Sequence, residues 1–201
     1  MSLRNTFGLL YEPDKQWQKI SDKNDSIAKT YFKFIIFMAL LPPVSAYIGS
    51  TYVGWSLGFG ETYRLTADSA LRLSIAAYLA ILVAVLVLAW FVQWMAKTYG
   101  ANPSYKRCVN LTAYTCTPLF LVSIMGAYPI LWFDMLVSLV AIAWAIYLLY
   151  HGVPIMMGID KDRGFLFASS IITVCMCVLV GMLAITVLFW GTGIASPVFT
   201  S

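Results

Sequence analysis

Few side chains in this sequence could carry acid–base or metal chemistry, and the most versatile of them is the single histidine. His151 closes the fourth long apolar segment and is followed shortly by Asp160 and Asp162. An imidazole with two carboxylates could form a weak cation site with mainly oxygen ligands. A histidine that interacts with the dipole at a helix C-terminus is the commoner arrangement. We therefore expect neither a bound metal nor a cofactor.

The four cysteines do not form a pattern that is typical of redox or metal chemistry. They are Cys108, Cys116, Cys175 and Cys177, and the sequence contains neither a CxxC nor an HExxH motif. The last two are two positions apart, so on a helix they would face nearly opposite ways. Cysteines at membrane depth behave as small apolar side chains. A lipid-modifying enzyme would have only His151 and its two aspartates to recruit, and we expect no enzyme.

A set of polar residues lies within the third apolar segment. Asn110, Tyr114 and Pro118 recur at intervals of four residues, with Thr117 next to them, so they share one side of a helix. Burial without a partner would cost each polar group on the order of 1–3 kcal/mol. We therefore predict that this side points into the protein, where it either hydrogen-bonds to neighbouring helices or lines a polar pocket.

Two consecutive prolines, Pro42 and Pro43, fall two-thirds of the way along the first apolar segment. They remove two backbone donors and clash with the preceding turn, which predicts a bend or break in the helix. Such a break can serve only to bend the helix around its neighbours. It can also expose backbone carbonyls to a substrate, as the broken helices of transporters do.

Five apolar segments position these residues and fill most of the chain. They cover residues 31–49, 73–96, 109–128, 130–150 and 165–190. Each is close to the ~20 residues that a helix needs to cross a membrane. The sequence is 61% hydrophobic and 11% charged, with a mean hydropathy of +0.80. We predict an all-α membrane protein in which residues 1–201 form one five-helix transmembrane domain.

The basic residues are distributed unevenly between the two sides of these segments. Eleven of the thirteen lysines and arginines fall within residues 1–33, 97–107 and 161–163, and Arg64 and Arg72 lie on the opposite side. Because cytoplasmic loops are enriched in basic residues, this predicts a cytoplasmic N-terminus and an external C-terminus. The net charge of +4 is small and scattered, so we expect no nucleic-acid partner.

Residues 1–30 are predicted to form a cytoplasmic segment that lies at the membrane interface. Pro13 suits the first turn of a helix, and Trp17 and Ile20 would share its apolar side. Aromatic rings beside lysines are typical of segments that rest among lipid headgroups.

Small residues recur at intervals of four in two of the apolar segments. These residues are Ala76, Ala80 and Ala84 in the second, and Ser169, Thr173, Cys177 and Gly181 in the fifth. Such stripes let helix backbones approach closely in lipid. We predict that both stripes pack against other helices, within one chain or in a homo-oligomer.

Aromatic, glycine and proline residues recur in short patterns along nearly the whole chain. They are Tyr11-x-Pro13 followed by Trp17 and Ile20, Tyr114-x-x-x-Pro118, Trp144-x-x-Tyr147-Leu148-x-x-x-Gly152-Val153-Pro154, and Lys161-x-x-Gly164-Phe165. This set resembles the bacterial branch of the Yip family, five-span membrane proteins whose eukaryotic members are known as Ypt/Rab-interacting proteins. The resemblance implies a cytoplasmic N-terminus. It implies no reaction, and the Asp-Leu-Tyr-Gly-Pro type motif of the eukaryotic members is not found here.

Two functions are therefore considered. The first is a non-enzymatic membrane protein that associates with lipid or with other membrane proteins, in the bacterial inner membrane. The alternative is a small-solute or ion permeation protein that uses the Pro42-Pro43 break and the polar side of the third segment. No ionisable residue lies in the middle of any segment, which counts against a proton-driven transporter.

The predicted topology can be tested with reporter fusions placed after residues 30, 60, 103, 160 and 201. We expect the five fusions to alternate between cytoplasmic and external reporter activity, starting in the cytoplasm, because of the uneven distribution of basic residues. Two successive fusions that report the same side would remove one transmembrane helix from the topology.

Overall fold

The computed structural model describes residues 8–9, 11–23, 26–55, 62–191 and 199–200. Among these residues, five helical stretches are long and apolar enough to cross a membrane. They cover Ile27–Val53, Ala67–Tyr99, Tyr105–Ala127, Leu131–Met157 and Lys161–Ile185, and we call them the first to fifth spans. The predicted all-α membrane bundle is confirmed. A further helix, Pro13–Lys23, precedes the first span and is called the N-terminal helix.

Three of the spans are regular helices over most of their length. They are Ala67–Ala96, which continues as a 3₁₀ turn over Lys97–Tyr99, then Leu131–Met157 and Lys161–Gly191. The second and fourth spans are followed by Gly100 and Gly158, which adopt positive φ angles of 76° and 67°. Glycine suits these positions because a left-handed residue lets the chain turn away after a helix.

The other two spans are built from shorter pieces. The first span consists of Ile27–Thr30, a π-helical turn over Tyr31–Ile35, Ile36–Met38, Leu41–Ile48 and a second π-helical turn over Gly49–Val53. The third span consists of Tyr105–Thr115, Thr117–Val122 and a 3₁₀ segment over Ser123–Ala127. These are the two spans in which the sequence places a proline well inside the apolar segment.

The N-terminal helix and the strand Phe199–Thr200 lie on opposite sides of the bundle. The N-terminal helix packs against the end of the fourth span, near Gly152. At the other side, Arg64–Leu65 pairs in antiparallel fashion with Phe199–Thr200, which brings the end of the chain to the connection between the first and second spans. We call these the N-terminal side and the C-terminal side. An odd number of spans requires this separation.

The third span lies at the centre of the bundle. Of its most apolar stretch, 56% is buried, compared with 17% or 18% for the second, fourth and fifth spans. It packs against the second and fourth spans and against the start of the first. A span with a polar side belongs in this position, since only other helices can satisfy its hydrogen-bonding groups.

Apart from Ser169, which is partly buried and bonded to Tyr150, the residues of the two small-residue stripes do not pack against other helices of this chain. Their packing in a homo-oligomer stays a prediction. Ala76, Ala80 and Ala84 are exposed on the second span. The buried side of that span is formed instead by Val85, Ala89, Val92 and Ala96. In the fifth span Thr173, Cys177 and Gly181 are exposed, and no atom lies within 4 Å of a Cβ built on Gly181. The predicted packing within one chain is therefore wrong, because spacing alone does not determine which side of a helix meets protein.

Two glycines of the fifth span are expected to respond differently to alanine. A Cβ on Gly164 would lie 2.5 Å from Cγ of Pro154 in the fourth span. We expect Gly164→Ala to lower the free energy of unfolding by about 1–3 kcal/mol through overpacking. Gly181→Ala should be neutral or slightly stabilising, because alanine favours the helix. Thermal unfolding in detergent measures both, and equal destabilisation of the two variants would contradict the packing.

Candidate functional site

The polar residues predicted on the third span all point into the bundle. Asn110, Tyr114 and Thr117 are 1%, 2% and 0% exposed, and Pro118 is also buried. The hydroxyl of Thr30, in the first span, donates a hydrogen bond of 2.6 Å to Oδ1 of Asn110. This bond joins the two broken spans and satisfies the amide oxygen inside the protein.

One turn further along, aromatic rings fill the same contact between the first and third spans. The rings of Tyr114 and Phe34 have centroids 4.7 Å apart and are tilted by 35°. Two threonine hydroxyls beside this contact, those of Thr115 and Thr117, are buried and have no hydrogen-bond partner. The polar side of the third span is thus partly saturated by its neighbours and partly not.

Both broken spans are interrupted at their midpoints. The α-helical pattern of the first span stops at Ala39–Leu40, and Pro42 and Pro43 lie in the first turn of the helix that follows. The third span is interrupted at Cys116, and Pro118 lies in the first turn of the next helix. The pieces on either side of the first interruption contact the Thr117–Val122 helix. The two interruptions therefore meet near the middle of the bundle.

A side chain of the second span replaces a hydrogen bond that is lost at the interruption of the first span. The backbone N–H of Leu40 donates to the carbonyl of Phe37 at 3.3 Å, in place of the α-helical bond to Ile36. The carbonyl of Ile36 accepts a hydrogen bond of 3.3 Å from the hydroxyl of Tyr78. The hydroxyl of Tyr78 thus supplies the hydrogen-bond donor that the broken helix lacks at this carbonyl. Lipid could not supply such a donor.

The N-terminal helix docks onto the bundle through a close fit between a large residue and a small one. Trp17 is fully buried and Ile20 is 3% exposed, so the predicted apolar side of this helix exists. That side faces protein, whereas the sequence had suggested lipid headgroups. A Cβ on Gly152 would lie 2.7 Å from Cε2 of Trp17 and 2.8 Å from Cδ1 of Leu111. The indole ring therefore occupies the space that the missing side chain leaves.

A side-chain hydrogen bond reinforces this docking. Nδ1 of His151 lies 2.7 Å from Oδ1 of Asp14, which places the N-terminal helix over the end of the fourth span. The ring of His151 also packs against Tyr147, with centroids 4.4 Å apart. The carboxylate partner of His151 is thus Asp14, and not Asp160 or Asp162, which a cation site at this helix end would have used. Among the described residues, no group of three or more His, Cys, Asp or Glu is placed to hold a metal.

A cavity of about 540 Å³ opens between the N-terminal helix and the ends of the fourth and fifth spans. We call it the N-side cavity. Its lining combines charged, polar and aromatic side chains, namely Asp14, Gln18, Tyr150, His151, Pro154, Ile155, Lys161 and Phe165. The rings of Tyr150 and Phe165 stack with centroids 5.0 Å apart, and the hydroxyl of Tyr150 is bonded to that of Ser169 at 2.9 Å.

Sequence analysis did not single out the N-side cavity. Asp14 and His151 are 137 positions apart, so neither residue alone indicates the other. The one indication in the sequence was a pair of residues of complementary size. Trp17 is a large residue in a polar segment, and Gly152 is a small one inside an apolar helix. The residues predicted for a polar pocket, Asn110, Tyr114, Thr117 and Pro118, line neither this cavity nor the apolar one at the opposite side.

Substitution of Gly152 tests the docking of the N-terminal helix. Gly152→Ala should displace Trp17 and expose Ile20, because the added methyl group overlaps both Trp17 and Leu111. Alkylation of an Ile20→Cys reporter by a charged maleimide, in a Cys177→Ser background, measures this exposure. We expect labelling to be faster with Gly152→Ala and unchanged with Gly181→Ala as the control. Equal labelling with and without Gly152→Ala would show that the helix is not held at this point.

The model of the Yip1 domain matches residues 7–182. The inner membrane protein YohC of Escherichia coli K12 is 36% identical over 191 residues, which cover 95% of this chain and 98% of that protein. An uncharacterized protein of Methanocaldococcus jannaschii is 28% identical over 127 residues, 63% of this chain and 86% of its own length.

No solved structure matches the chain. The family match extends from the N-terminal helix through most of the fifth span, so it includes the docking of Trp17 and the whole N-side cavity. The chain therefore belongs to the Yip1 family of integral membrane proteins.

Proposed function

We propose that this protein is a non-enzymatic component of the bacterial inner membrane that works by binding lipid. The N-side cavity would hold the headgroup of a phospholipid, with its phosphate at Lys161. The observation that carries the proposal is a cavity at the ends of the fourth and fifth spans that combines one lysine, a paired carboxylate and two stacked aromatic rings.

The position of Lys161 suits a phosphate group. It is the first residue of the helix Lys161–Gly191, which forms the fifth span. The N-terminus of a long helix carries a partial positive charge and unpaired N–H groups, so it favours anions. A lysine ammonium at that point adds a full charge. The phosphate of a lipid would find both at the depth where headgroups lie.

The aromatic rim suits the rest of such a ligand. Phe165 is 57% exposed and stacks on Tyr150 beside the cavity. Aromatic side chains are enriched at this depth, because their rings accept both acyl chains and headgroups. The carboxylate of Asp14 is already paired with His151. Lys161 is therefore the cation of the lining that has no carboxylate partner among the described residues.

The non-enzymatic part of the proposal rests on the surroundings of His151. Its ring contacts the carboxylate of Asp14 and the ring of Tyr147, and the described residues that line the N-side cavity include neither a serine nor a cysteine. A histidine–aspartate pair would need a nucleophile or a bound metal to act on a lipid ester. In the arrangement observed, the pair fastens one helix to another.

Lys161→Gln tests the proposed lipid site. The variant removes one charge-assisted hydrogen bond, worth about 1.5–3 kcal/mol, so retention of phosphatidylglycerol should fall about tenfold or more. Native mass spectrometry of the detergent-purified protein measures the retained lipid. Lys97→Gln is the matched control, since Lys97 is an exposed lysine of the same side outside the cavity. An equal loss in both variants would indicate nonspecific attraction to charge and would overturn the proposal.

A second candidate function, permeation of a small solute or ion, is favoured by one specific arrangement. The first and third spans are both interrupted at their midpoints, and the unpartnered hydroxyls of Thr115 and Thr117 lie at the second interruption. Transporters use such paired helix breaks to expose backbone groups at the midplane.

A further inference from the structure

A second cavity lies at the C-terminal side of the bundle, between the first and second spans and the start of the fourth. Its volume is about 460 Å³, and we call it the C-side cavity. Apolar side chains form most of its wall, among them Pro42, Pro43, Ala46, Leu73, Ala77 and Pro129. The helix break of the first span thus shapes this wall, because the two prolines face into it.

The polar groups of the wall are already engaged. The hydroxyl of Ser50 donates to the carbonyl of Ala46 at 2.6 Å, and the hydroxyl of Ser74 donates to the carbonyl of Pro43 at 3.1 Å. A wall of this kind offers little to a polar solute or to water, and apolar cavities remain dry and take apolar ligands. Since the wall is built mainly from transmembrane helices, the apolar ligand that can reach the cavity is the acyl chain of a lipid.

The only two basic residues that the sequence places at the C-terminal side are chain neighbours of wall residues, and we call this part of the cavity its rim. Arg64 and Arg72 immediately precede Leu65 and Leu73, which line the cavity. Arg72 is largely exposed and forms an ion pair of 2.5 Å with Asp68. A guanidinium has five N–H donors, so a carboxylate partner leaves donors for a phosphate.

The rim is also held in place by the backbone. Trp55 and Tyr63 exchange two backbone hydrogen bonds of 3.0 Å each, and Trp55 lines the cavity. A Cβ on Gly54 would lie 2.8 Å from Cγ of Arg64, so the stem of this arginine rests on the glycine backbone. The charged and apolar parts of the site therefore keep a defined relation to each other.

We infer that the C-side cavity is a binding site for one anionic phospholipid of the C-terminal leaflet, whose acyl chain lies in the cavity and whose phosphate lies at Arg64 and Arg72. This site is separate from the N-side cavity and does not depend on the proposed function. It would place specifically bound lipid in the leaflet opposite to the N-terminal helix.

The test uses the full chain, purified in detergent and exposed to phosphatidylglycerol. Ala77→Phe fills the cavity, and its neighbour Ala76→Phe adds the same ring to the exposed surface of the same helix. Native mass spectrometry should show one retained lipid fewer with Ala77→Phe and no change with Ala76→Phe. Ala46→Phe fills the opposite wall and serves as the second variant if Ala77→Phe does not fold. Retention equal to wild type in a folded cavity-filling variant would overturn the inference.

Two further measurements separate the parts of the site. Brominated acyl chains should quench tryptophan fluorescence less in Trp55→Phe than in wild type, because Trp55 borders the bound chain.

Arg72→Gln should lower the preference for phosphatidylglycerol over phosphatidylcholine about tenfold, by loss of a charge-assisted contact. A preference that Arg72→Gln leaves unchanged, or equal retention of a free fatty acid, would overturn the assignment of the headgroup. Lys161→Gln must leave this lipid in place, so the two sites can fail independently.

Discussion

Lipid offers no hydrogen-bond partner, and this constraint determines how the bundle is arranged. The third span carries an asparagine, a tyrosine and several threonines, so it must lie where other helices surround it. Thr30 meets Asn110 at 2.6 Å, and this bond sets the contact between the first and third spans. The same constraint acts on the backbone, since the carbonyl of Ile36, left by the break in the first span, accepts the hydroxyl of Tyr78. Helices with few polar groups, the second, fourth and fifth, could then remain at the periphery.

The N-terminal helix belongs to this bundle for a different physical reason. Its polar side is rich in lysine and needs water, but Trp17 brings a large apolar area that gains stability from burial. Gly152 provides the space for this ring, and the pair Asp14–His151 fixes the angle at which the helix lies. The N-side cavity follows from this geometry, because the helix packs against the fourth span and leaves room beside the start of the fifth. The docking of the N-terminal helix and the presence of the N-side cavity therefore follow from the same two contacts, Trp17 with Gly152 and Asp14 with His151.

Much of the fold could be predicted from the sequence, because membrane burial is a local property of each segment. Hydropathy identified the five spans, the position of Pro42 and Pro43 indicated where the first would be interrupted, and the spacing of Asn110 and Tyr114 indicated which side of the third faces inward. The partners of these residues could not be predicted. Lipid and protein interiors are equally apolar, so the stripes of small residues did not reveal which side meets a helix. The partner of His151 lies 137 positions away, and only the folded chain brings the two together.

The two functions considered place different demands on the middle of the bundle. The two cavities lie at opposite sides, and the contact between the first and third spans stands at the core between them, with the Thr30–Asn110 bond and the Phe34–Tyr114 ring pair. A permeating solute would have to open this contact, which would leave Asn110 without Thr30 in a medium that cannot replace it. The proposed binding of lipid at either cavity requires no such opening, because neither cavity is lined by the residues of this contact. Among the described residues, the unpartnered hydroxyls of Thr115 and Thr117 at the interruption of the third span are groups that a polar solute would satisfy. A permeation route between the first and third spans would therefore have to break the hydrogen bond between Thr30 and Asn110, whereas the proposed lipid binding would leave it intact.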